Sequence, residues 1–147
     1  MSMTILVGLD GSDAGQKALA HAKAQAGRME GSRIILCYVI EWSPFSFQTP
    51  EENEQRHRRR EEEISIARAR VIEPALAALA SDGFDAEGVV RHGHAADILE
   101  KVAREKGAAQ IVVARESGGS GLRNRIFGSV TGNLVASASV PVTVVPT

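Results

Sequence analysis

The chain has 147 residues, a formal net charge of −1 at pH 7, 44% hydrophobic residues and 24% charged residues. This is the composition of one ordinary globular domain, and such a balanced charge gives no reason to expect binding to nucleic acid or to an anionic membrane. We find neither a basic secretory leader nor an apolar run of the roughly 20 residues that span a bilayer. The single cysteine, Cys37, lies in an apolar run and is expected to be a buried, reduced thiol. We therefore predict one cytoplasmic domain, residues 1–147.

The first third of the chain predicts a strand, a helix and a second strand. "TILVGL" (Thr4–Leu9) is a short apolar run that ends in the turn sequence "DGSD". Ser12 is a suitable N-cap for the following helix, whose small residues recur at helical spacing. The continuous apolar run at residues 33–40 is typical of a strand covered on both faces of a sheet. Residues 42–50 have no clear period and are predicted to form a loop.

A long helix is predicted from Glu51 onward. Its first part, "EENEQRHRRREEE", carries blocks of opposite charge that nearly cancel. This favours a solvated helix face with i,i+4 ion pairs over a nucleic-acid patch. Pro74 is expected to kink or divide the helix. The later part has apolar residues at helical spacing: Ile64, Ala67, Val71, Ala75 and Ala78.

The rest of the chain repeats the alternation of strand and helix. We predict strands at Asp85–Gly93, at residues 108–114 and at residues 140–145. "HAADILEKVAREKG" predicts a helix between the first two of these strands, and a glycine-rich loop and a helix from Ser129 come before the last. Strands that alternate with helices imply parallel pairing through right-handed crossovers. The predicted fold is an open, Rossmann-like α/β sheet with helices on both faces.

Two loops carry ligand chemistry at the carboxyl ends of strands, where open α/β sheets bind ligands. In "GLDGS", Asp10 is placed for a ligand, although an Asx turn that closes "DGSD" explains it equally well. In "ESGGSGLRNRIFGSVTG", the start of a helix presents free N–H groups and a positive dipole end to an anion. Gly128 would let that anion approach the backbone closely. A flexible connection with Ser129 as an ordinary N-cap explains the same residues.

Several better-known sites do not fit this sequence. No lysine precedes Ser129, so the glycine-rich loop is not the G-x-x-x-x-G-K-[ST] loop of NTPases, and a dinucleotide-binding G-x-G-x-x-G should follow the first strand. His92 and His94 flank Gly93, but no third ligand at suitable spacing accompanies them, so we expect loop residues and no metal site. Phosphoryl transfer needs a positioned base, and none is evident at the glycine-rich loop. We therefore predict no catalytic residue.

The sequence resembles the universal stress protein family over essentially its whole length. The resemblance lies in "ILVGLDGS", "RHGHAADIL", "IVVARESG" and "FGSVTGNLVASASVPVTVV". The signature of the family's ATP-binding branch is G-x2-G-x9-G-[ST]. Gly118, "GSGLRNRIF" and the pair Gly128-Ser129 match its second part without a gap, whereas its first glycine falls on Arg115. An arginine there has three possible positions: turned outward, reaching over the phosphates, or intruding into the site.

The resemblance implies a sheet of five parallel strands in the order 3-2-1-4-5, with ATP, with or without Mg²⁺, bound where strands one and four lie side by side. In this alignment Asp10 would hydrogen-bond the adenosine, and Val39 would line the adenine pocket. The remaining assignments are the backbone of Gly8 and Leu9 beside the base, Ala114 and Arg115 beside the ribose, and Gly118, Gly128, Ser129, Val130 and Thr131 at the phosphates.

The resemblance also implies a homodimer through the last strand, which begins at Val140 and ends at Val145. An unpaired apolar edge of this kind invites a partner. Three functions stay open: a nucleotide-binding regulatory protein of the stress response, a slow ATPase, and a branch that has lost ATP binding and acts through dimerisation and protein contacts. Arg115 is the residue that favours the third. We take the first as the leading hypothesis.

Overall fold

Five strands form one parallel sheet in the computed structural model, which describes residues 3–41, 50–115 and 129–146. Their order is β3-β2-β1-β4-β5, and each neighbouring pair is parallel. The predicted fold class and strand order are confirmed, and the order reverses between β1 and β4. The strands are β1 (Thr4–Leu9), β2 (Arg33–Glu41), β3 (Asp85–Gly93), β4 (Gln110–Ala114) and β5 (Val142–Val145).

Helices cover both faces of the sheet. On one face α1 and α3 pack with the end of α2 against one group of buried residues, and on the other face α4 and α5 pack against a second group. A π-helical turn, Arg68–Ile72, joins α2 to α3. None of the helices in the described ranges is both long and apolar enough to span a membrane. The helices are α1 (Asp13–Ala26), α2 (Pro50–Ala67), α3 (Glu73–Ser81), α4 (Ala95–Lys106) and α5 (Ser129–Ser137).

The central strands are apolar along their whole length because both of their faces are covered. In β1, Ile5 and Val7 face α1 while Leu6 faces α4, and all three are fully buried. Cys37 is fully buried on the α4 side and forms no disulfide. Burial raises the pKa of its thiol to about 12, against a smaller opposite effect of Arg91. The expectation of a buried, reduced thiol is confirmed.

The predicted long helix is divided just before Pro74. Proline lacks an N–H group, and in a regular α-helix its ring clashes with the carbonyl four residues earlier. The wider π turn relieves that clash and inserts one extra residue into the helical register. Ala78, predicted to face inward, is therefore exposed, and Val71 is only half-buried. The residues that are buried after the turn are Ile72, Ala75 and Leu79.

Two strands begin later than predicted. β4 begins at Gln110, and β5 begins at Val142, two residues after each predicted start. Pro141 has no N–H to donate to the ladder, although its carbonyl accepts a hydrogen bond from Ile111 at 2.9 Å. Of the predicted loop at residues 42–50, residues 42–49 lie outside the described ranges, and Pro50 begins α2.

Candidate functional site

Asp10 follows β1 directly, and its exposed carboxylate organises the loop of residues 10–12, here called the Asp10 loop. Its Oδ1 accepts a hydrogen bond from the backbone N–H of Ser12 at 2.9 Å and another from the Ser12 hydroxyl. This is the Asx turn that the sequence left open as an alternative. The turn uses Oδ1 and leaves Oδ2 as the oxygen through which Asp10 can bind a ligand.

Gly8 lies at a place where the sheet and α4 approach each other closely. A Cβ there would lie 3.2 Å from Val113 Cγ1 and 3.3 Å from Leu99 Cδ1. Leu9, 5% exposed, packs on the opposite face with α1. Gly8 has no side chain and that of Leu9 serves packing, so only the backbone at these two positions is available to a ligand. Gly11, with φ of +82°, adopts a conformation that other residues rarely take.

Val39 and Tyr38 lie near the carboxyl end of β2 and point to opposite faces of the sheet. Val39 is half-buried against the core beneath α4, whereas Tyr38 packs against the core beneath α1. Tyr38 is level with Leu9 in the β1–β2 register, beside the Asp10 loop. The sequence analysis did not identify Tyr38. Its proximity depends on the pairing register of two strands, which no local pattern contains.

Arg115 follows β4, and its N–H donates to Val145 O at 2.8 Å. Val113 packs on the α4 side and Ala114 on the α1 side, so strand alternation directs Arg115 to the face that carries α5. There it lines a cleft of about 450 Å³ between α5 and β5, here called the edge cleft. No residue of β1 or of the Asp10 loop lines this cleft. The lining residues are Arg115, Thr131, Gly132, Val135, Val144 and Pro146.

The predicted phosphate residues are only partly within the described chain. Gly118 and Gly128 lie outside the described residues, as does the side chain of Ser129. Ser129 begins α5, and Val130 is half-buried against the core. Thr131 is 3% exposed and lines the edge cleft. Ala114 and the residues before Asp10 end neighbouring strands, so the structure brings the β1 and β4 parts of the predicted site together.

The helices that begin at the carboxyl edge of the sheet differ in charge. Asp13 lies in the first turn of α1 and Asp97 in the first turn of α4. Glu41 also reaches α4, where its Oε1 accepts a hydrogen bond from the N–H of Ala95 at 3.2 Å. By contrast, the first turn of α5 contains no acidic residue. Because a helix N-terminus carries partial positive charge, α1 and α4 are compensated by carboxylates in or beside their first turns, whereas the first turn of α5 supplies none.

The two histidines do not form a metal site with other described residues. His92 lies in β3, and its Nε2 is 3.1 Å from Glu63 Oε2 on α2. His94 is exposed at the residue before α4. Within the described ranges, no group of three or more His, Cys, Asp or Glu side chains is arranged to hold a metal ion. The prediction of two loop residues is thus wrong for His92, which is part of a strand and contacts a helix.

The sequence profile of the universal stress protein family matches residues 1–146. A search of curated protein sequences found no match. Among solved structures, the hypothetical protein MJ0577 is 24% identical, with a TM-score of 0.80 over 99% of this chain and 96% of that one. Universal stress protein UspA from Lactobacillus plantarum is 23% identical, with a TM-score of 0.80 over 97% of each chain.

A third solved structure is a universal stress protein in complex with cAMP. It is 26% identical to this chain, with a TM-score of 0.59 over 97% of this chain and 95% of that one. The family profile covers nearly every residue, and the sheet order is the one that the family resemblance implied. The chain belongs to the universal stress protein family.

Proposed function

We propose that this protein binds an adenine nucleotide, ATP with or without Mg²⁺, where β1 and β4 lie side by side, and acts as a regulatory binding protein of the stress response. The observation that carries the proposal is electrostatic. The N-terminus of α5 lies at the same edge of the sheet as Asp10, and it alone among the helix starts compared above lacks a carboxylate. The similar universal stress protein solved with cAMP supports an adenine nucleotide as the ligand class.

The adenosine half of the ligand is assigned to the ends of β1, β2 and β4. Asp10 would accept a hydrogen bond through Oδ2 while its Oδ1 keeps the Asx turn. The backbone at Gly8 and Leu9, the side chain of Val39 and the backbone at Ala114 complete this half. Each is half-buried or buried, as expected for a pocket that excludes water from a base.

The phosphate half is assigned to the start of α5 and to the glycines of the preceding loop, Gly118 and Gly128. The first N–H groups of a helix have no partner within that helix, so those of Ser129 and Val130 would be available to a phosphate. Thr131 is nearly buried, so its hydroxyl would reach a phosphate only from the edge cleft that it shares with Arg115. We propose binding without efficient hydrolysis, because the first turn of α5 supplies no carboxylate to serve as a base or as a magnesium ligand.

A homodimer through β5 is the second part of the proposal. All four residues of β5 are half-buried, and Val135 on the adjacent helix is 61% exposed. An apolar edge strand next to an exposed apolar side chain is suited to a second copy of the chain. The same surface favours the alternative function, in which the protein acts through dimerisation and protein contacts without a nucleotide. The cytoplasm as the place of action stays a prediction of the sequence.

Titration calorimetry with Mg-ATP tests the nucleotide site, and Asp10→Asn is the informative variant. Asparagine preserves the Asx turn but removes the charge. We expect this variant to weaken binding by about tenfold to 100-fold, the range for losing a hydrogen bond to a charged group. Asp13→Asn is the matched control, because Asp13 is also exposed and the substitution removes the same charge three residues from Asp10. It should leave the affinity within a factor of about three.

Chromatography of nucleotide released from the purified wild-type protein completes the test. Co-purified adenine nucleotide, or micromolar affinity for ATP, supports the proposal. No heat of binding up to millimolar ATP would overturn it and would leave the protein-contact alternative. An equal loss of affinity in both aspartate variants would contradict the assigned role of Asp10.

A further inference from the structure

We propose that Val71 is a positioning residue for the Asp10 loop and that the π turn holds it in place. The proposal rests on the proposed nucleotide site, because it assigns control of that site's acidic loop to a helix on the α1 face of the sheet. It concerns described residues only: the π turn, one glycine of β3, and the loop itself. The positioning role of Val71 does not depend on the residues of the phosphate half of the site.

The π turn packs into a space in β3 that Gly88, lacking a side chain, leaves open and that is here called the notch. Gly88 leaves the space that Ile72 occupies: a Cβ at Gly88 would lie 2.2 Å from Ile72 Cγ2, far inside van der Waals contact. Ile72 is fully buried in that position. Arg68, at the start of the turn, donates a hydrogen bond from Nη2 to the Gly88 carbonyl at 3.0 Å. Arg68 and Ile72, the first and last residues of the π turn, thus both contact Gly88 of β3.

The contacts of Ile72 and Arg68 with Gly88 decide where Val71 points. In a regular α-helix continuing from Ala67, the residue four positions later faces inward, and that residue is Val71. The inserted position gives the inward place to Ile72, and Val71 turns toward the Asp10 loop. Its Cγ2 lies 3.5 Å from the point that a Cβ at Gly11 would occupy, and Tyr38 Cε2 lies 3.9 Å from the same point.

The loop is therefore backed by Val71 and Tyr38 on the side of the helices. A cleft of about 350 Å³ between α1 and α3 begins at Gly11 and is bordered by Arg70, Val71 and Pro74. Shortening Val71 would enlarge this cleft beside Gly11 and give the loop more room to move. Gly11 lies within the Asx turn at Asp10, and its positive φ is one that glycine adopts readily, so the conformation of the loop depends on the residues around it.

Amide hydrogen exchange measured by NMR, without nucleotide, tests the positioning directly. The reporter is the Ser12 amide, which donates to Asp10 Oδ1. We expect Val71→Ala to raise its exchange rate about five- to tenfold, since the cleft beside Gly11 becomes larger. The Ala95 amide, bound to Glu41 at the start of α4, should keep its rate and serves as the internal reference.

Leu76→Ala is the matched control variant. Leu76 is half-buried, packs beside Gly88, and borders neither the cleft nor the Asp10 loop. It should lower the melting temperature without changing the Ser12 exchange rate. Val71→Ile should keep the exchange rate of the Ser12 amide at the wild-type value. Gly88→Ala, which blocks the notch, should act on Ser12 like Val71→Ala if it folds, and Val71→Ala decides the question if it does not.

The ATP affinity of the same variants links the loop to the site. We expect Val71→Ala to weaken binding several-fold and Leu76→Ala to leave it unchanged. Ser12 exchange that is unaffected by Val71→Ala, or raised equally by Leu76→Ala, would overturn the positioning role. If the wild-type protein binds no ATP, the proposed function fails, but the exchange measurement still decides whether Val71 positions the loop.

Discussion

The two edges of the sheet are built from opposite chemistry. β3 spans nine residues, and its charged side chains are paired: Glu87 lies 2.7 Å from Lys106 and 3.2 Å from Arg33, and Arg91 lies 2.7 Å from Glu105. β5 spans four residues and carries no charge. Charges on an edge strand oppose pairing with another chain, whereas a bare apolar edge invites it. The comparison shows why a partner strand is expected at β5 and not at β3.

Carboxylates stabilise the structure near both edges, by different means. At β3, a hydrogen bond from Lys106, with further help from Arg33, lowers the pKa of Glu87. Near β5, the hydroxyl and N–H of Ser139, and then Arg104, lower the pKa of Glu100. A carboxyl group whose pKa is lowered by folding stabilises the native state above its unfolded pKa, and that contribution is lost as the pH falls. Both edges should therefore weaken in acid.

The largest expected effect is on the proposed dimer, and it tests directly whether β5 and β3 differ as edges for pairing with another chain. In the proposed homodimer, Val144→Lys places a charge on the apolar edge strand of each chain. We expect the dimer dissociation constant to rise about 100-fold or more, measured by sedimentation equilibrium. Val89→Lys puts the same side chain on β3, at a position that is also half-buried on the α4 side. It should leave the dimer intact, and a mass change in this variant alone would contradict the assignment of the interface to β5.

The intermediate effect concerns the support of β5. Glu100 is 8% exposed, and its Oε1 accepts hydrogen bonds from the N–H of Ser139 at 2.7 Å and from the Ser139 hydroxyl. Glu100→Gln should lower the free energy of unfolding by about 1–2 kcal/mol at neutral pH, the scale for hydrogen bonds to a charged group. The difference from wild type should persist down to the ordinary carboxyl range and shrink as the pH falls below it toward the lowered pKa of the native carboxyl group. Urea unfolding at several pH values measures this, and a difference that does not vary with pH would argue against an ionised Glu100.

The smallest effect concerns the ion pairs of β3. Lys106→Gln removes the 2.7 Å contact with Glu87, in which both side chains are about one-third exposed. We expect a loss below about 1 kcal/mol in the free energy of unfolding, because partly exposed pairs are screened by solvent. The loss should decrease further in molar salt. An equal loss at low and high salt would mean that Lys106 stabilises the protein through packing. The ion pair with Glu87 would then not distinguish β3 from β5.

Local patterns were sufficient for most of the sheet. The bounds of β1 and β3 agree with prediction, because the turn sequence at residues 10–12 follows β1 and the turn at Asp82 and Gly83 precedes β3. The start of β5 was wrong because the apolar run continues through Pro141, whose missing N–H ends the ladder. The predicted helical stripe was wrong at Val71 and Ala78 but right at Ala75, because Val71 and Ile72 are both apolar and the sequence does not say which one faces inward. Only the notch at Gly88, on another strand, selects between them.

The sequence by itself determined the family, the order of strands and helices, and the position of Asp10 in a turn, since these depend on patterns within short segments and on a motif that spans the chain. Tertiary structure decided the rest. The register of β1 on β2 put Tyr38 beside the Asp10 loop, and strand alternation against α5 put Arg115 into the edge cleft. The π turn placed Ile72 in the core and Val71, half-buried, in the cleft beside Gly11. Each of these depends on which distant side chain fills a given space, and that is settled only when the layers pack together.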